Sequence, residues 1–425
     1  MRSFLRTHVA VWLLIPALVG VAAYYASFVD PQNYRGYWPA VASNSAIFLL
    51  FSCILASSSS AIEMSRLQRS GILDLPSTRT RLLVTLDRLW PSLVLAFLVQ
   101  LLAFAMLSLG TWGVPGFTPI ILWSSFVSVI AMHVALGAVL GRYLPMAAAV
   151  PLSLVASYSW LGFTWSVPFF PLRYLSGLEV VTCCRLDMQL DPLGPFVTVV
   201  FSLSLACILL ALSVLRWRGR NAGGITTRVA FLALTTVAAT SLCLFIARDL
   251  GAAPVMPRSQ NEASCTETNP SVCLFPEQHG KRDPSQLIIK ASDNLTRAGI
   301  EVPSTVRFSI NASTSSTLNM AARPYMKPEE VLHSFTSAFL SPQLASYCGD
   351  ADEHQSRLLV ASVIQGWLLD RASVDIIEDP VSDPPTRVGI EQVEQLSPDG
   401  QALWVSTNLP RLTDCSISVL ELPPS

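Results

Sequence analysis

Seven stretches of this chain run for about twenty residues without one Asp, Glu, Lys or Arg: residues 8–28, 44–62, 90–110, 118–141, 146–166, 196–215 and 229–247. A hydrocarbon core about 30 Å thick takes roughly 20 apolar residues of helix. Within it, backbone amides find partners only inside a helix or a closed barrel. Stretches of this length and uniformity predict an all-α polytopic membrane helix bundle of about seven spans, with the lipid bilayer as its solvent. The first stretch has the size of a signal peptide. No clean small-residue cleavage site follows it and further spans do, so it reads as a span.

The charges separate the chain into two objects. Only 13% of the 425 residues are charged, against about 25% in soluble chains. Residues 1–249 carry sixteen arginines, no lysine and eight acids, a balance of +8. Residues 250–425 carry twelve basic and twenty-one acidic side chains, a balance of −9, and are long enough to form a domain of their own. The expected organisation is a six-span bundle over 1–222, a seventh membrane helix over 223–249 and an extracytoplasmic domain over 250–425. That last domain reads as small, helix-rich and α+β.

Arginine placement sets the orientation, because short cytoplasmic loops collect Lys and Arg. With the N-terminus in the cytoplasm, twelve of the sixteen arginines lie inside: Arg2, Arg6, Arg66, Arg69, Arg79, Arg81, Arg88, Arg142, Arg216, Arg218, Arg220 and Arg228. Only Arg35, Arg173, Arg185 and Arg248 lie outside. Seven spans then place everything after about Leu250 outside the cell membrane. The cysteines agree. Cys53, Cys207 and Cys243 fall in spans, where a thiol packs as a small apolar group. Cys183, Cys184, Cys265, Cys273, Cys348 and Cys415 all fall in segments assigned outside, where disulfides persist. The tail's four allow three pairings. The favoured set is Cys265–Cys273, across a short loop, with Cys348–Cys415. Cys183 and Cys184 are neighbours; they remain thiols, pair with another chain or pair with the tail.

The basic segment between the second and third spans reads EMSRLQRSGILDLPSTRTRLL, Glu63 to Leu83. A short helix is expected over Glu63–Ser70, stopped by Gly71, which tolerates a left-handed backbone. Pro76 bars continuation and Ser77 would cap a second helix carrying Arg79, Arg81 and Arg88 into the third span. Anchoring to anionic headgroups is one reading of this loop.

The layout of six spans over residues 1–220 with a cytoplasmic N-terminus resembles the membrane subunits of type-2 ABC exporters. In that family an acidic residue, a Gly, a Pro and an Arg follow the second span in that order. Here they are Glu63, Gly71, Pro76 and Arg79. The resemblance implies that Glu63, Arg66, Arg69, Gly71, Pro76, Arg79 and Arg81 form a coupling loop docking on a separate ABC ATPase subunit, in a homo- or heterodimer. A seventh span and a large outer domain depart from the minimal family pattern. The combination also looks like actinobacterial membrane proteins carried beside ABC ATPases, and 25 Arg to 3 Lys fits a GC-rich genome.

The chain itself lacks G-x-x-x-x-G-K-[ST], so any ATP must be bound by a partner. It also lacks H-E-x-x-H, C-x-x-C, G-x-S-x-G and a Gly-rich dinucleotide fingerprint, and its five histidines form no metal pair at helical spacing. No enzyme activity, cofactor, metal or nucleic-acid partner is expected. His133 is the ionisable side chain deep in a span. Such groups are functional candidates. The weightier reading is a neutral imidazole bonded to a neighbouring helix, since no Asp or Glu accompanies it. Ser57–Ser60 reads as close helix packing rather than a substrate path. Pro16, Pro151 and Pro168 are expected to kink or end their spans.

In the outer domain, Gln286–Ala298, Pro328–Leu340 and Glu353–Arg371 show helical spacing, and residues 306–310 alternate like a strand. Residues 311–322 read as a loop and 378–388 as a turn-rich linker. Leu358, Val360, Ile364, Trp367 and Leu368 make a stripe expected to be core. A last, mostly helical piece holds Trp404 and Cys415. Two readings of function result: a membrane-spanning subunit of an ABC-type export or self-protection transporter, or a non-transporting membrane protein whose spans anchor an extracytoplasmic sensing or binding domain.

Overall fold

The computed structural model describes residues 8–30, 35–72, 79–214, 222–279, 283–309, 311, 313–321, 326–340, 351–373, 384–412, 414, 416–419 and 422–423. The chain divides into two compact units, one of Met1–Cys184 with Gln189–Met256 and one of Arg185–Met188 with Pro257–Ser425.

The first unit is helical. Its helices are α1 (Val9–Phe28), α2 (Trp38–Asn44), α3 (Leu49–Arg69), α4 (Arg81–Ser108), α5 (Ile120–Tyr143), α6 (Met146–Thr164), α7 (Phe170–Ser176), α8 (Leu193–Val214) and α9 (Ala222–Ala247). A 3-10 turn, Ser45–Phe48, joins α2 to α3. Seven helices among the described residues are long and apolar enough to cross a membrane, and each expected stretch falls in one of them. Pro16 and Pro151 are carried inside α1 and α6 without ending them, as is Pro91 in α4. Pro168 follows the end of α6 at Thr164.

The middle of the bundle is α3, which packs against α1, α4, α5 and α6. Its contact with α5 is backbone against backbone. A Cβ on Gly137 would run into the Ser57 carbonyl, and one on Gly141 into the Ala61 carbonyl. With no Cβ there, the helices close up, as small-x-x-x-small pairs allow in lipid. Ser65 Oγ then donates to the Gly141 carbonyl at 3.1 Å, and Ser157 Oγ of α6 donates to Ser57 Oγ at 2.8 Å. Ser57 thus belongs to a helix contact. A second cluster joins α5, α7, α8 and α9 through Met132, Tyr174, Phe201, Cys243 and Ala247. By contrast α1 and α9 expose large apolar side chains, among them Trp12, Ile15, Phe231 and Leu234, as lipid-facing helices do.

The second unit combines a sheet with helices. Strands β1 (Ser264–Cys265), β2 (Ser271–Leu274), β3 (Thr305–Phe308) and β4 (Thr317–Met320) lie in that order. β1 and β2 are antiparallel with Cys265 opposite Cys273, and a disulfide joins the two. β2, β3 and β4 are parallel. A parallel neighbour needs a crossover, and α10 (Ser285–Arg297) supplies the one from β2 to β3. Gly299, at φ +85°, follows the end of α10. α11 (Pro328–Ser337), α12 (Ala351–Ala372), α13 (Pro384–Glu394) and α14 (Pro398–Arg411) complete the unit.

Three expectations need correction here. The Ser/Thr/Asn-rich segment 311–322 contains β4, because Leu318 and Met320 alternate into the core. The linker 378–388 gives way to α13 from Pro384, since proline is compatible with the first turn of a helix. In the α12 stripe, Val360, Ile364, Trp367 and Leu368 are buried but Leu358 is 45% exposed, turned off the core face. Cys183 and Cys184 are buried side by side. Cys348 and Cys415 lie outside the described residues. Cys53, Cys207 and Cys243 are free thiols in α3, α8 and α9.

The α3–α5 contact predicts a contrast between two glycines. Gly162, on α6, has only Tyr158 ring atoms near 4 Å of an added Cβ. Gly141→Ala should lose about 1–3 kcal/mol by overpacking, whereas Gly162→Ala should be neutral or slightly stabilising through helix propensity. Thermal unfolding of the detergent-solubilised protein distinguishes them. Equal melting temperatures would remove the contact from its central place.

Candidate functional site

The segment that links α3 to α4 is built around one carboxylate. α3 does not stop at the end of its apolar run; it continues unbroken to Arg69, so the separate short helix expected over Glu63–Ser70 is the last two turns of α3. The continuation places Glu63 on the inward face, 2% exposed. Glu63 Oε1 accepts from the Val9 backbone N–H at 3.1 Å and from Arg66 Nη1 at 3.0 Å. Arg88 Nη1, on α4, stands 3.8 Å from Oε2. Val9 is the first residue of α1, whose leading N–H groups have no partner inside the helix. A carboxylate there satisfies one of them and opposes the positive end of the helix dipole.

His8 closes the arrangement. Its Nδ1 accepts from the Ala10 N–H at 3.3 Å, capping α1. Its Nε2 then carries the proton and donates to the Arg88 carbonyl at 3.0 Å. Glu63 and His8 therefore tie the start of α1, the end of α3 and the second turn of α4 into one polar node. Glu63 was legible as an acidic residue in a spacing pattern. Its partners Val9 and Arg88, and His8 beside them, were not read as such, because nothing local in the sequence brings residues 8, 63 and 88 together.

Beyond the node Ile72, Arg79 and Thr80 are exposed. Gly71 adopts φ +69° and ends the helical path, and a side chain there would meet nothing within 4 Å. Pro76 and Ser77 lie outside the described residues. α4 begins at Arg81 rather than at Ser77, with Thr80 as its N-cap, the hydroxyl accepting from the Leu83 N–H at 3.4 Å. Arg69 is exposed, Arg81 is half-buried, and Arg79 pairs with Asp87 at 2.9 Å on the open surface. Around these cations stand exposed apolar side chains that the sequence reading passed over: Ile72, Leu82, Leu83 and Leu86. The loop and the first turns of α4 thus present mixed apolar and cationic character.

His133 is fully buried on α5, and its Nδ1 donates to the Val129 carbonyl of the same helix at 2.9 Å. The hydrogen bond goes to its own helix and not to a neighbouring one. Among the described residues Nε2 has no partner.

The second unit holds two arginine hubs and a cavity. Arg258 is buried, forms two 3.0 Å hydrogen bonds with the Glu277 carboxylate, reaches Glu262 at 2.8 Å and lies over the Phe275 ring. Arg357, also buried, donates to the carbonyls of Arg411, Asp414 and Ile417 and so fastens the end of the chain to α12. An open cavity of about 770 Å³ is lined by Asn311, Asn319, Glu329, Glu330 and His333 among others. No group of His, Cys, Asp and Glu suited to a metal ion is found among the described residues.

Residues 272–415 match a family described as Domain of unknown function (DUF7224), a match that lies within the second unit and includes none of the seven apolar helices. No curated protein and no solved structure matches the chain.

The node and the surface pair should respond differently to substitution. Glu63→Ala strands the Val9 N–H and two cations, and a lost charged hydrogen bond costs about 1.5–3 kcal/mol. Arg79→Ala removes an exposed ion pair worth about 0–1 kcal/mol. Melting curves of both variants in one detergent should show a clear drop for the first and almost none for the second.

Proposed function

We propose that the chain is the membrane-spanning subunit of an ABC-type export or self-protection transporter, with residues 63–81 as the element that receives motion from a separate ATPase. The observation that carries this is the node at Glu63. A push on the loop acts on the end of α3 directly and on α1 and α4 through Val9, His8 and Arg88. Because α3 is also the helix against which α5 and α6 pack, its displacement reaches the middle of the bundle. The exposed apolar and cationic surface of Ile72, Leu82, Leu83 and Arg79 is of the kind a docked subunit covers. In this reading the N-terminus is cytoplasmic, the second unit is extracytoplasmic, and two membrane subunits, alike or different, enclose the pathway.

A second reading keeps the spans as an anchor and puts the function in the second unit. The cavity beside α11 is the observation in its favour, since its volume lies within the range of small-molecule sites.

The discriminating experiment is purification of the tagged full-length protein in mild detergent, followed by assay for an accompanying ATPase. The expected result is co-purification that is weakened about tenfold or more by Gly71→Val and Arg79→Glu. Gly71→Val changes the turn without a clash, and Arg79 lies outside the Glu63 node. Both variants should therefore accumulate normally. A preparation free of ATPase at matched expression would favour the anchor reading. A reporter fused after Ser425 should be active only outside the cytoplasm; cytoplasmic activity would reverse the topology.

A further inference from the structure

The connection between α6 and α8 buries a carboxyl group that the coupling reading does not use. Glu179 opens a 3-10 turn, Glu179–Thr182, and is 1% exposed. Among the described residues neither of its carboxyl oxygens has a hydrogen-bond partner. The nearest cation, Arg173 Nη1, is 3.8 Å from Oε1. That guanidinium is engaged elsewhere as well: Nε donates to the Val167 carbonyl at 2.7 Å, and the group lies 4.7 Å from the Phe170 ring centroid.

The elements packed against the turn are α2, the Ser45–Phe48 turn and α7. α2 and Ser45–Phe48 contain no titratable or charged residue. α7 contributes Arg173 and Tyr174. The Tyr174 hydroxyl donates to the Gly251 carbonyl at 2.7 Å, away from Glu179. Its phenol is pushed above its ordinary range, mainly by burial. The turn is also held tightly. Gly177, at φ +82°, leaves no room for a Cβ beside Val129 and Thr198, and Asn44 Nδ2 donates to the Cys183 carbonyl at 3.5 Å.

An ionised carboxylate in such a place lacks the donors that replace water, and one cation at 3.8 Å does not supply them. A neutral carboxylic acid fits better. We propose that Glu179 is a proton-binding group that locks this connection, protonated while the turn is packed and ionised when the turn leaves its packing. The closing reaction takes one proton from solvent, and opening returns it. Burial pushes the carboxyl above its usual range, and the Arg173 charge opposes this in part.

The sign follows from linkage. The packed state binds more protons than the open one, whose carboxyl titrates near the ordinary value of about 4.3. Below that value both states are protonated and pH has no effect. Above it, rising pH weakens the packed state until the buried group itself ionises. The packed connection is therefore favoured by acid. This inference does not rest on the coupling reading, because it involves a different segment and no ATPase.

The test uses full-length protein in lipid nanodiscs. Infrared spectra at about pH 6, where exposed carboxylates are ionised, should contain a protonated-carboxyl band that disappears in Glu179→Gln. Hydrogen exchange of peptides covering 177–184, corrected for intrinsic rates, should lose protection about tenfold per pH unit over part of the range from about pH 5 to 8.5. Glu179→Gln, an isostere of the neutral acid, should stay protected throughout. Arg173→Gln should move the wild-type profile to higher pH by removing the opposing charge. A missing band, or a pH profile that neither variant alters, would overturn the proposal.

Discussion

The bundle depends on how closely α3 and α5 approach each other. In lipid there is little hydrophobic force between helices, so packing contact must supply the attraction. Gly137 and Gly141 let the α5 backbone lie on the α3 backbone at Ser57 and Ala61. The approach brings Ser65 onto the Gly141 carbonyl and, from α6, Ser157 onto Ser57. Small polar residues that would be costly in hydrocarbon are thereby buried between helices. The remaining helices arrange themselves around this pair, ending in α1 and α9, whose apolar side chains face outward.

The same central helix explains where the polar node sits. α3 extends past its apolar stretch, so its last turns carry Glu63, Arg66 and Arg69 beyond the apolar zone. Burial then separates them by function. Glu63 turns inward and gains the Val9 N–H and two arginines, whereas Arg69 points to solvent and Arg79 pairs on the surface. A buried carboxylate with hydrogen bonds from α1 and α3 and an ion pair to α4 ties three helices together; an exposed ion pair is too weak and too well solvated to do so. Glu179 is the counter-case within the same unit, a buried carboxyl without donors. The two acids differ in what folding placed around them, not in residue type.

In the second unit, sheet and helices are secured by side chains from distant parts of its sequence. The Cys265–Cys273 disulfide closes the first hairpin, Arg258 and Glu277 brace the segments on either side of it, and Arg357 holds the last residues against α12. Trp367, buried on α12, donates to Gln401 of α14 at 3.1 Å and joins the final helix to the core. These ties add to an apolar core that includes Phe275, Phe308, Phe335 and Trp367.

Periodicity and charge by themselves determined the seven apolar helices, the arginine asymmetry, the helical spacing of α10 and α12, and the Gly71 stop. Each is a local property: a run of apolar residues long enough for a bilayer, or a residue able to take a positive φ. Tertiary structure decided the rest. β4 was hidden in a Ser- and Thr-rich segment because only pairing with β3 gives Leu318 and Met320 a core to enter. Leu358 was misassigned because its stripe is wider than the face that packs. Thr80 rather than Ser77 caps α4, because its hydroxyl is the one that accepts from the Leu83 N–H. Glu63 and Glu179 read alike as lone acids beside apolar spans. A contact across more than fifty residues of chain gave the first the Val9 N–H in addition to its near neighbour Arg66, whereas the second, packed against α2 and α7, has no hydrogen-bond partner among the described residues.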